Sequence, residues 1–193
     1  MKHPILKSIL IASLAILWTS QAHSQYIVDF EGAGETKTEY ASETVNLNGL
    51  DWDMTEALIG SLDNDWKNGE RSARLRGYGE SSMTMLEDLE GGLGTVSFNY
   101  RRYGPDAQVD WKVEYSIDQG DSWTQIGNTF TAPASDDVQI FSETLNIEGN
   151  ARIRIKRATE SGTSNKRLNI DDITLTAYDP DAPQYAATPY FSP

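Results

Sequence analysis

The chain has 193 residues, a formal net charge of −13, no cysteine and two histidines. Both histidines, His3 and His23, lie in a segment that we expect to be removed, so the mature chain can form neither a Ser-His-Asp triad, nor a Cys-His pair, nor an ordinary zinc site. Nucleic acid is a poor direct partner for so acidic a chain, because phosphate binding depends on Lys and Arg.

The N-terminal segment, residues 1–24, has the pattern of a secretory signal peptide. Lys2 and Lys7 precede an apolar stretch from Ile9 to Trp18, and a small-x-small site at Ala22–Ser24 predicts cleavage before Gln25. The apolar stretch is short for a membrane span, and an uncleaved N-terminal anchor is the alternative interpretation. Export without disulfides suits a bacterial protein that is stabilised by its core or by a metal. We therefore expect a secreted, extracellular bacterial protein that is not held in a membrane.

Residues 25–178 are almost entirely short strands and turns. Nine strands are predicted, at Gln25–Phe30, Ala73–Arg76, Ser82–Leu86, Gly94–Arg102, Trp111–Ser116, Thr124–Phe130, Val138–Leu145, Ala151–Lys156 and Leu168–Ala177. Short strands without a sustained helical period favour an all-β antiparallel sandwich or barrel, and about 150 residues suit one domain with a sizeable core. Four prolines follow Tyr178, so residues 179–193 are predicted to be a Pro-rich tail or linker.

The acidic stretch near residue 50 offers a catalytic alternative. Without histidine, the available route is a pair of carboxylates that cut a glycosidic bond. Asp51, Asp53 and Glu56 resemble the acidic strand of jelly-roll endoglucanases, with Asp in place of the expected nucleophile Glu. Asp51 and Asp53 share one face of a strand, but Glu56 joins them only through a bulge. We therefore expect no enzyme, and a carboxylate-based glycoside hydrolase stays as an alternative.

Exposed aromatic rings are the candidates for ligand binding, because the apolar faces of sugar rings pack on aromatic planes. Trp52 and Trp66 lie in polar stretches that we interpret as loops, and Tyr103 lies beside a Gly-Pro turn. These three residues form the predicted platform. Trp111 and Trp123 are expected in the core, and packing on its own domain is the alternative for each loop tryptophan.

A local motif, Ser116–Trp123, matches the pattern S-x-D-x-G-x-x-W. It resembles the Asp-box hairpin of sialidase propellers and of other secreted β-folds. In such a hairpin Gly120 supplies the left-handed turn residue, Asp118 accepts turn amide hydrogens and Trp123 packs back over the turn. The motif occurs once, in a chain too short for a propeller, so we interpret it as a structural hairpin.

The last predicted strand contains an irregularity at Asp171-Asp172. Its apolar residues occupy one parity before this pair and the other parity after it, which indicates a bulge or a twist. One of the two carboxylates is expected to point inward, where it needs hydrogen bonds, a partner charge or a metal. If the first and last strands are neighbours, Glu31 and Asp171 can converge on calcium. The alternative is that the aspartates only accept backbone hydrogen bonds at the bulge.

Three short motifs together resemble a known class of module. They are Asp29–Gly32 at the start, Gly91–Tyr100 in the middle and Asn169–Ile173 at the end of the predicted domain. The chain is similar to secreted bacterial jelly-roll modules of the galactose-binding-like or adhesin type, including calcium-containing carbohydrate-binding modules and MAM-like domains. The resemblance covers nearly all of residues 26–178, and it implies a jelly-roll sandwich.

The resemblance also implies a structural calcium. In the carbohydrate-binding relatives, an acidic residue of the first strand and an aspartate of the last strand ligate the ion. These positions correspond to Glu31 and Asp171, with Asp29 as a third candidate ligand. The relatives usually open with Glu-x-Glu, where this chain has Asp29-Phe-Glu31.

The predicted function is recognition without catalysis. We expect a secreted module that binds glycan or cell-surface carbohydrate and holds a structural calcium. Modules of this type often accompany secreted enzymes and adhesins, so a secreted enzyme or adhesin is a candidate partner. The alternative is a purely structural accessory domain of a larger secreted hydrolase, nuclease or adhesin.

Overall fold

The computed structural model describes residues 25–182, which form a sandwich of two antiparallel β-sheets. The strands are β1 (Gln25–Val28), β2 (Glu43–Leu47), β3 (Leu50–Thr55), β4 (Ala57–Gly60), β5 (Ser72–Leu75), β6 (Ser82–Met85), β7 (Leu93–Arg102), β8 (Trp111–Ser116), β9 (Thr124–Phe130), β10 (Gln139–Ile147), β11 (Arg152–Arg157) and β12 (Leu168–Thr176). The all-β antiparallel sandwich is confirmed. The predicted signal peptide and residues 183–193 of the predicted tail lie outside the described residues. Between residues 25 and 182, no helix has the length and apolar sequence needed to cross a membrane.

The two sheets enclose one core. Sheet A has the strand order β10-β7-β12-β5-β4, with β1 also paired to β12, and sheet B has the order β2-β3-β6-β11-β8-β9. Apolar residues at alternate strand positions fill the space between them, among them Val96 and Phe98 in β7 and Ile153 and Ile155 in β11. The polar residues in between therefore fall on the two outer faces of the sandwich.

Strands β2, β3 and β4 are absent from the predicted set. Asn48 (φ 45°) and Gly49 (φ 93°) form the two-residue turn of the β2–β3 hairpin, and positive φ at both residues suits the twist of paired strands. Strand β3 buries Trp52 and directs Asp51 and Asp53 to the outer face of sheet B. The interpretation of this stretch as a loop is wrong, because a strand with one wet face has the polar composition of a loop.

The long strand β12 contains the predicted bulge. Its first half, Leu168–Ile170, pairs with β5, and its second half, Ile173–Thr176, pairs with β1 along the same edge. On its other edge β7 runs past both halves, with a register shift between Asp171 and Thr174, and Asp172 has a φ of 54°. The bulge and the pairing of the first and last strands are confirmed. The junction between β1 and β5 therefore lies beside Asp171.

Lys37, in the connection from β1 to β2, is a buried cation. Its ammonium group donates hydrogen bonds to the carbonyl oxygens of Glu39, Ala41 (2.6 Å) and Ala57 (2.7 Å). Burial lowers the pKa of Lys37. The Lys37 carbonyl in turn accepts the Ile59 amide at 2.8 Å. These bonds hold the connection between β1 and β2 against β4, an edge strand of sheet A.

We expect Lys37→Met to lower the free energy of unfolding by about 2 kcal/mol, because three carbonyl oxygens, one of them buried, lose a charged donor. Urea unfolding measures the change. Lys67→Met is the matched control, since the Lys67 ammonium group has one exposed hydrogen bond, to the Leu62 carbonyl at 3.1 Å. Its expected effect is within about 0.5 kcal/mol. Equal losses in the two variants would contradict the assigned role of Lys37.

The motif at Ser116–Trp123 forms the turn between β8 and β9. The Asp118 carboxylate accepts the Ser122 hydroxyl (2.5 Å), the Ser116 hydroxyl (2.7 Å) and the Ser122 amide (2.9 Å), which lower the pKa of Asp118 to about 2. Gly120 has a φ of 96°, and its carbonyl accepts the Trp123 indole N–H at 2.9 Å. All these bonds stay inside the turn and stabilise its conformation.

Candidate functional site

The candidate site is the outer face of sheet A over β7, β10 and β12. Because Val96, Phe98 and Tyr100 point into the core, the alternate residues of β7 point outward, and the strand register places outward residues of β10 and β12 beside them. We call this surface the open face, and it consists of Thr95, Ser97, Asn99, Arg101, Ile140, Ser142, Thr144, Thr174 and Thr176. Its length along β7, from Thr95 to Arg101, is about 20 Å.

Hydroxyl and amide groups form most of the floor of the open face. Ser97 lies opposite both Ser142 and Thr174 in the register. The hydroxyl oxygens of Thr95 and Thr144 are 2.9 Å apart. Short side chains that both donate and accept hydrogen bonds suit a ligand that is itself rich in hydroxyl groups.

A loop forms one wall of the open face. This covering loop, residues 61–71, connects β4 to β5 and lies against β12. The Trp66 amide donates to Asn169 Oδ1 (3.1 Å), and the Asn68 amide donates to Asp171 Oδ2 (2.7 Å). The side chains of Asn68 and Asn99 both donate to Asp172 Oδ2 at 2.9 Å, which ties the loop to the floor. Asn169 and Asp171 are consequently fully buried.

Clefts lie at both ends of the open face. The arginine cleft, about 280 Å³, is lined by Asp63, Asn64, Asp65, Arg101, Arg102, Gly104, Pro105 and Asp136. The threonine cleft, about 240 Å³, is lined by Gly94, Thr95, Thr144, Asn146, Thr176, Ala177, Asp179 and Ala182. The beginning of the predicted tail therefore takes part in the second cleft. There, the Asp179 amide donates to Asn146 Oδ1 at 2.8 Å.

The residues of the open face are not among the predicted site residues. Alternation within the predicted strand Gly94–Arg102 does mark Ser97 and Asn99 as residues of its polar face. The sequence does not show which strands lie on either side of β7, because both neighbours, β10 and β12, are distant in the chain. The order of strands in the sheet is what joins these short polar side chains into one surface.

Trp52 lies in the core and not on a binding surface. It is fully buried in β3, where its indole N–H donates to the Tyr26 hydroxyl at 2.9 Å. That hydroxyl donates to the Leu47 carbonyl at 2.5 Å, and burial raises the pKa of Tyr26. The expectation that Trp52 is an exposed loop residue is wrong, because its ring fills the space between the sheets.

Tyr103 is also covered, with 6% of its surface exposed. The guanidinium carbons of Arg74 and Arg167 lie 4.8 and 3.9 Å from the centre of its ring. Arg167 is held there by Asp106 at 2.7 Å. Two cations therefore pack on the ring that was expected to receive a sugar, and Tyr103 is not available as a platform. Of the three predicted aromatic contacts, the half-buried Trp66 of the covering loop keeps exposed surface.

The three predicted calcium ligands lie around the junction between β1 and β5, where each carboxylate accepts backbone amide hydrogens. Asp171 Oδ2 accepts the Asn68 amide, and Glu31 Oε1 accepts the amides of Glu70 (2.8 Å) and Arg71 (3.0 Å). Asp29 is exposed, and its carboxylate accepts the Glu31 amide at 3.1 Å. Calcium takes six to eight oxygen ligands. Within residues 25–182, no group of three or more acidic side chains is close enough to hold a cation.

Asp171 is the most perturbed carboxyl group at this junction. Burial raises its pKa to about 7, and the negative charges of Asp172 and Glu31 act in the same direction. The amides of Asn68 and Asp172 each donate to one of its oxygens, which lowers the pKa but does not offset the burial. The carboxyl group therefore lies beneath the covering loop with no solvent contact and without a cationic partner among its hydrogen-bonding groups.

The predicted catalytic alternative is not assembled in one place. Asp53 accepts hydroxyl groups from Ser42 (2.7 Å) and Thr55 (2.8 Å) on the outer face of sheet B. Glu56, with a φ of 50°, forms an ion pair with Arg76 instead. The carboxylates of Asp51, Asp53 and Glu56 therefore do not line a common cleft, and a glycosidase needs two carboxyl groups facing each other across its substrate.

Known proteins share the fold of this chain. No protein-family model and no curated protein matches its sequence. Among solved structures, the CBM22-1 xylan-binding domain of Paenibacillus barcinonensis Xyn10C aligns with a TM-score of 0.52 and 9% identity, over 83% of this chain and 99% of that chain. A family 29 carbohydrate-binding module, CBM29-2, aligns with a TM-score of 0.51 and 12% identity, over 81% of this chain and 87% of that chain.

A third structure comes from a different class of protein. The K2 cleaved adhesin domain of Lys-gingipain aligns with a TM-score of 0.53 and 15% identity, over 79% of this chain and 99% of that chain. At such low identity these similarities establish architecture, because one β-sandwich serves many functions. The chain therefore has the β-sandwich fold of these carbohydrate-binding modules and of this adhesin domain.

Proposed function

We propose that this chain binds carbohydrate on the open face and does not catalyse its cleavage. The observation that carries the proposal is the floor of hydroxyl and amide side chains over β7, β10 and β12, with a wall on one side and a cleft at each end. An extended, polar groove of this length suits several consecutive sugar units. The binding functions of the family 22 and family 29 modules, which share the fold, support the same proposal.

The carboxyl groups beside the groove support binding rather than catalysis. Asp171 has a raised pKa, as a general acid would, but both its oxygens accept backbone amides and the side chain is fully buried. Asp172 accepts the amides of Asn68 and Asn99 at its Oδ2. Asp171 is therefore not placed for proton transfer to a glycosidic oxygen on the open face.

Trp66 is the aromatic residue that we assign to the ligand. It is half-buried in the covering loop, so part of its surface is accessible. The signal-peptide pattern in residues 1–24 supports an extracellular location as part of the same proposal. A calcium ion at Glu31, Asp29 and Asp171 stays a prediction.

The proposal is tested by calorimetric titration of residues 25–193 with xylotetraose, cellohexaose and mannohexaose. Ser142→Ile puts a bulky apolar side chain opposite Ser97 in the floor of the open face, on the edge strand β10. We expect it to weaken binding of the preferred oligosaccharide at least about tenfold, since it removes a hydroxyl group and occupies the groove.

The matched control is Gln125→Ile, the same new residue at an exposed position of β9, the edge strand of sheet B. We expect this variant to bind like the parent chain, with both variants keeping the parent melting temperature. Equal affinity of Ser142→Ile and the parent would contradict the site. Release of reducing ends from any of the three oligosaccharides would contradict the absence of catalysis.

A second candidate function is that of an accessory or adhesin module that does not bind carbohydrate. The adhesin domain of Lys-gingipain, which has the same fold, is the observation that favours it. In that case the parent chain binds none of the oligosaccharides, and a secreted enzyme or adhesin is the candidate partner.

A further inference from the structure

The arginine cleft contains two neighbouring cations that share one anion. Asp136 Oδ1 accepts hydrogen bonds from Nη2 of Arg101 (2.8 Å) and Nη2 of Arg102 (3.2 Å). The arginine side chains are 24% and 17% exposed, whereas the Asp136 side chain is 67% exposed. The two guanidinium groups therefore lie largely covered at the end of β7, and the carboxylate reaches them from the surface.

Asp136 lies outside the strands of both sheets. It lies between β9 and β10, in residues 131–138, which form no strand. The hydrogen bonds from Arg101 and Arg102 lower the pKa of Asp136, so its carboxylate stays ionised at neutral pH. A planar carboxylate is the anion that the guanidinium fork fits best.

The opposite wall of the cleft supplies acceptors rather than cations. The Asn64 carbonyl accepts the Gly104 amide at 3.1 Å, which joins the covering loop to the turn after β7. Asp63 and Asn64 are exposed beside it, while Asp65 is buried and engaged by Arg74 at 3.3 Å. The cleft thus presents guanidinium donors on one side and carboxylate and amide acceptors on the other.

We infer that the arginine cleft binds the carboxylate of a uronic acid residue, and that Asp136 occupies the position of this carboxylate in the free protein. The sugar carboxylate replaces Asp136 on Arg101 and Arg102, and the ring hydroxyl groups donate to Asp63 and Asn64. This inference rests on the proposed function, since the cleft is one end of the open face. It makes the chain selective for acidic polysaccharides such as glucuronate-bearing xylan.

The test is a comparison of two ligands that differ in one group: xylotetraose that carries a single glucuronate, and plain xylotetraose. Asp136→Asn keeps the size of the side chain and removes the competing charge. We expect it to tighten binding of the glucuronate ligand about tenfold relative to xylotetraose, the factor that one charge-assisted hydrogen bond contributes.

The matched control is Asp137→Asn. Asp137 is the next residue of the same exposed segment, and its carboxylate accepts the Ser135 hydroxyl at 2.8 Å instead of an arginine. We expect it to leave both affinities unchanged. Arg101→Gln should abolish the preference for the glucuronate ligand, with its melting temperature as the check on folding.

The outcomes separate this inference from the proposed function. The inference is overturned if Asp136→Asn and Asp137→Asn bind the glucuronate ligand with equal affinity. It is also overturned if the parent chain binds a sulfated xylotetraose as tightly as the glucuronate ligand, since that would indicate a general anion site. In either case, loss of xylotetraose binding in Ser142→Ile still supports the proposed function. If the parent chain binds neither xylotetraose ligand and also binds neither cellohexaose nor mannohexaose, the inference and the proposed function are both overturned.

Discussion

Trp52→Ala should lower the free energy of unfolding by about 3–5 kcal/mol, a large part of the stability of an ordinary domain. Its ring is one of the largest fully buried side chains in residues 25–182, and removing it leaves a cavity between β3 and the opposite sheet. The Tyr26 hydroxyl also loses the hydrogen bond that it accepts from the Trp52 indole N–H at 2.9 Å. Urea unfolding followed by far-ultraviolet circular dichroism measures the loss independently of tryptophan fluorescence.

Trp66→Ala is the matched control for this variant. Trp66 is half-buried in the covering loop, so its removal should cost less than about 1 kcal/mol while it weakens binding on the open face. Any loss of ligand binding in Trp52→Ala should match the unfolded fraction. If Trp52→Ala stays as stable as the parent and selectively loses binding, the assignment of Trp52 to the core is incorrect.

The contrast between these tryptophans shows what the sequence can predict. Period-two alternation places β8 correctly, because Trp111, Val113 and Tyr115 form one apolar face. The turn at Gly120 has a distinct signature, which indicates that a second strand, β9, follows it. The same alternation exists around Trp52, but the acidic neighbours Asp51 and Asp53 hide it. Only pairing with β2 and β6 shows that these acids form the wet side of a strand.

The candidate site is harder to predict than the fold, because it depends on strand order. Ser97, Ser142 and Thr174 are unremarkable polar residues in the sequence, and they become neighbours only when β7 lies between β10 and β12. Tyr103 shows a second limit of prediction from the sequence. This aromatic residue lies beside a turn, but Arg74 and Arg167 from two other segments cover its ring. The bulge at Asp171-Asp172 is predictable because a change of parity is a local signal.

That bulge produces the second large expected effect: in chelator, the free energy of unfolding should fall as the pH rises from 5 to 7. Asp171 has a pKa of about 7 in the folded chain and about 3.9 when unfolded. Between these values the folded state keeps a proton that the unfolded state releases, so rising pH favours unfolding by up to about 1.4 kcal/mol per pH unit. Asp118, with a pKa of about 2, titrates below this window.

Asp171→Asn is the variant that isolates this group, because it keeps the side-chain size and removes the titration. We expect its stability to be nearly constant over the same range, and a parent curve that is already flat in chelator would contradict the burial of an unpaired carboxyl group.

Repeating the series in millimolar calcium tests the predicted metal. An ion bound by Asp171 and Glu31 would hold Asp171 ionised, raise the melting temperature and remove the slope. Identical curves in calcium and in chelator would instead mean that the backbone amides of Asn68 and Asp172 are the partners of Asp171, and that this junction is stable without a metal.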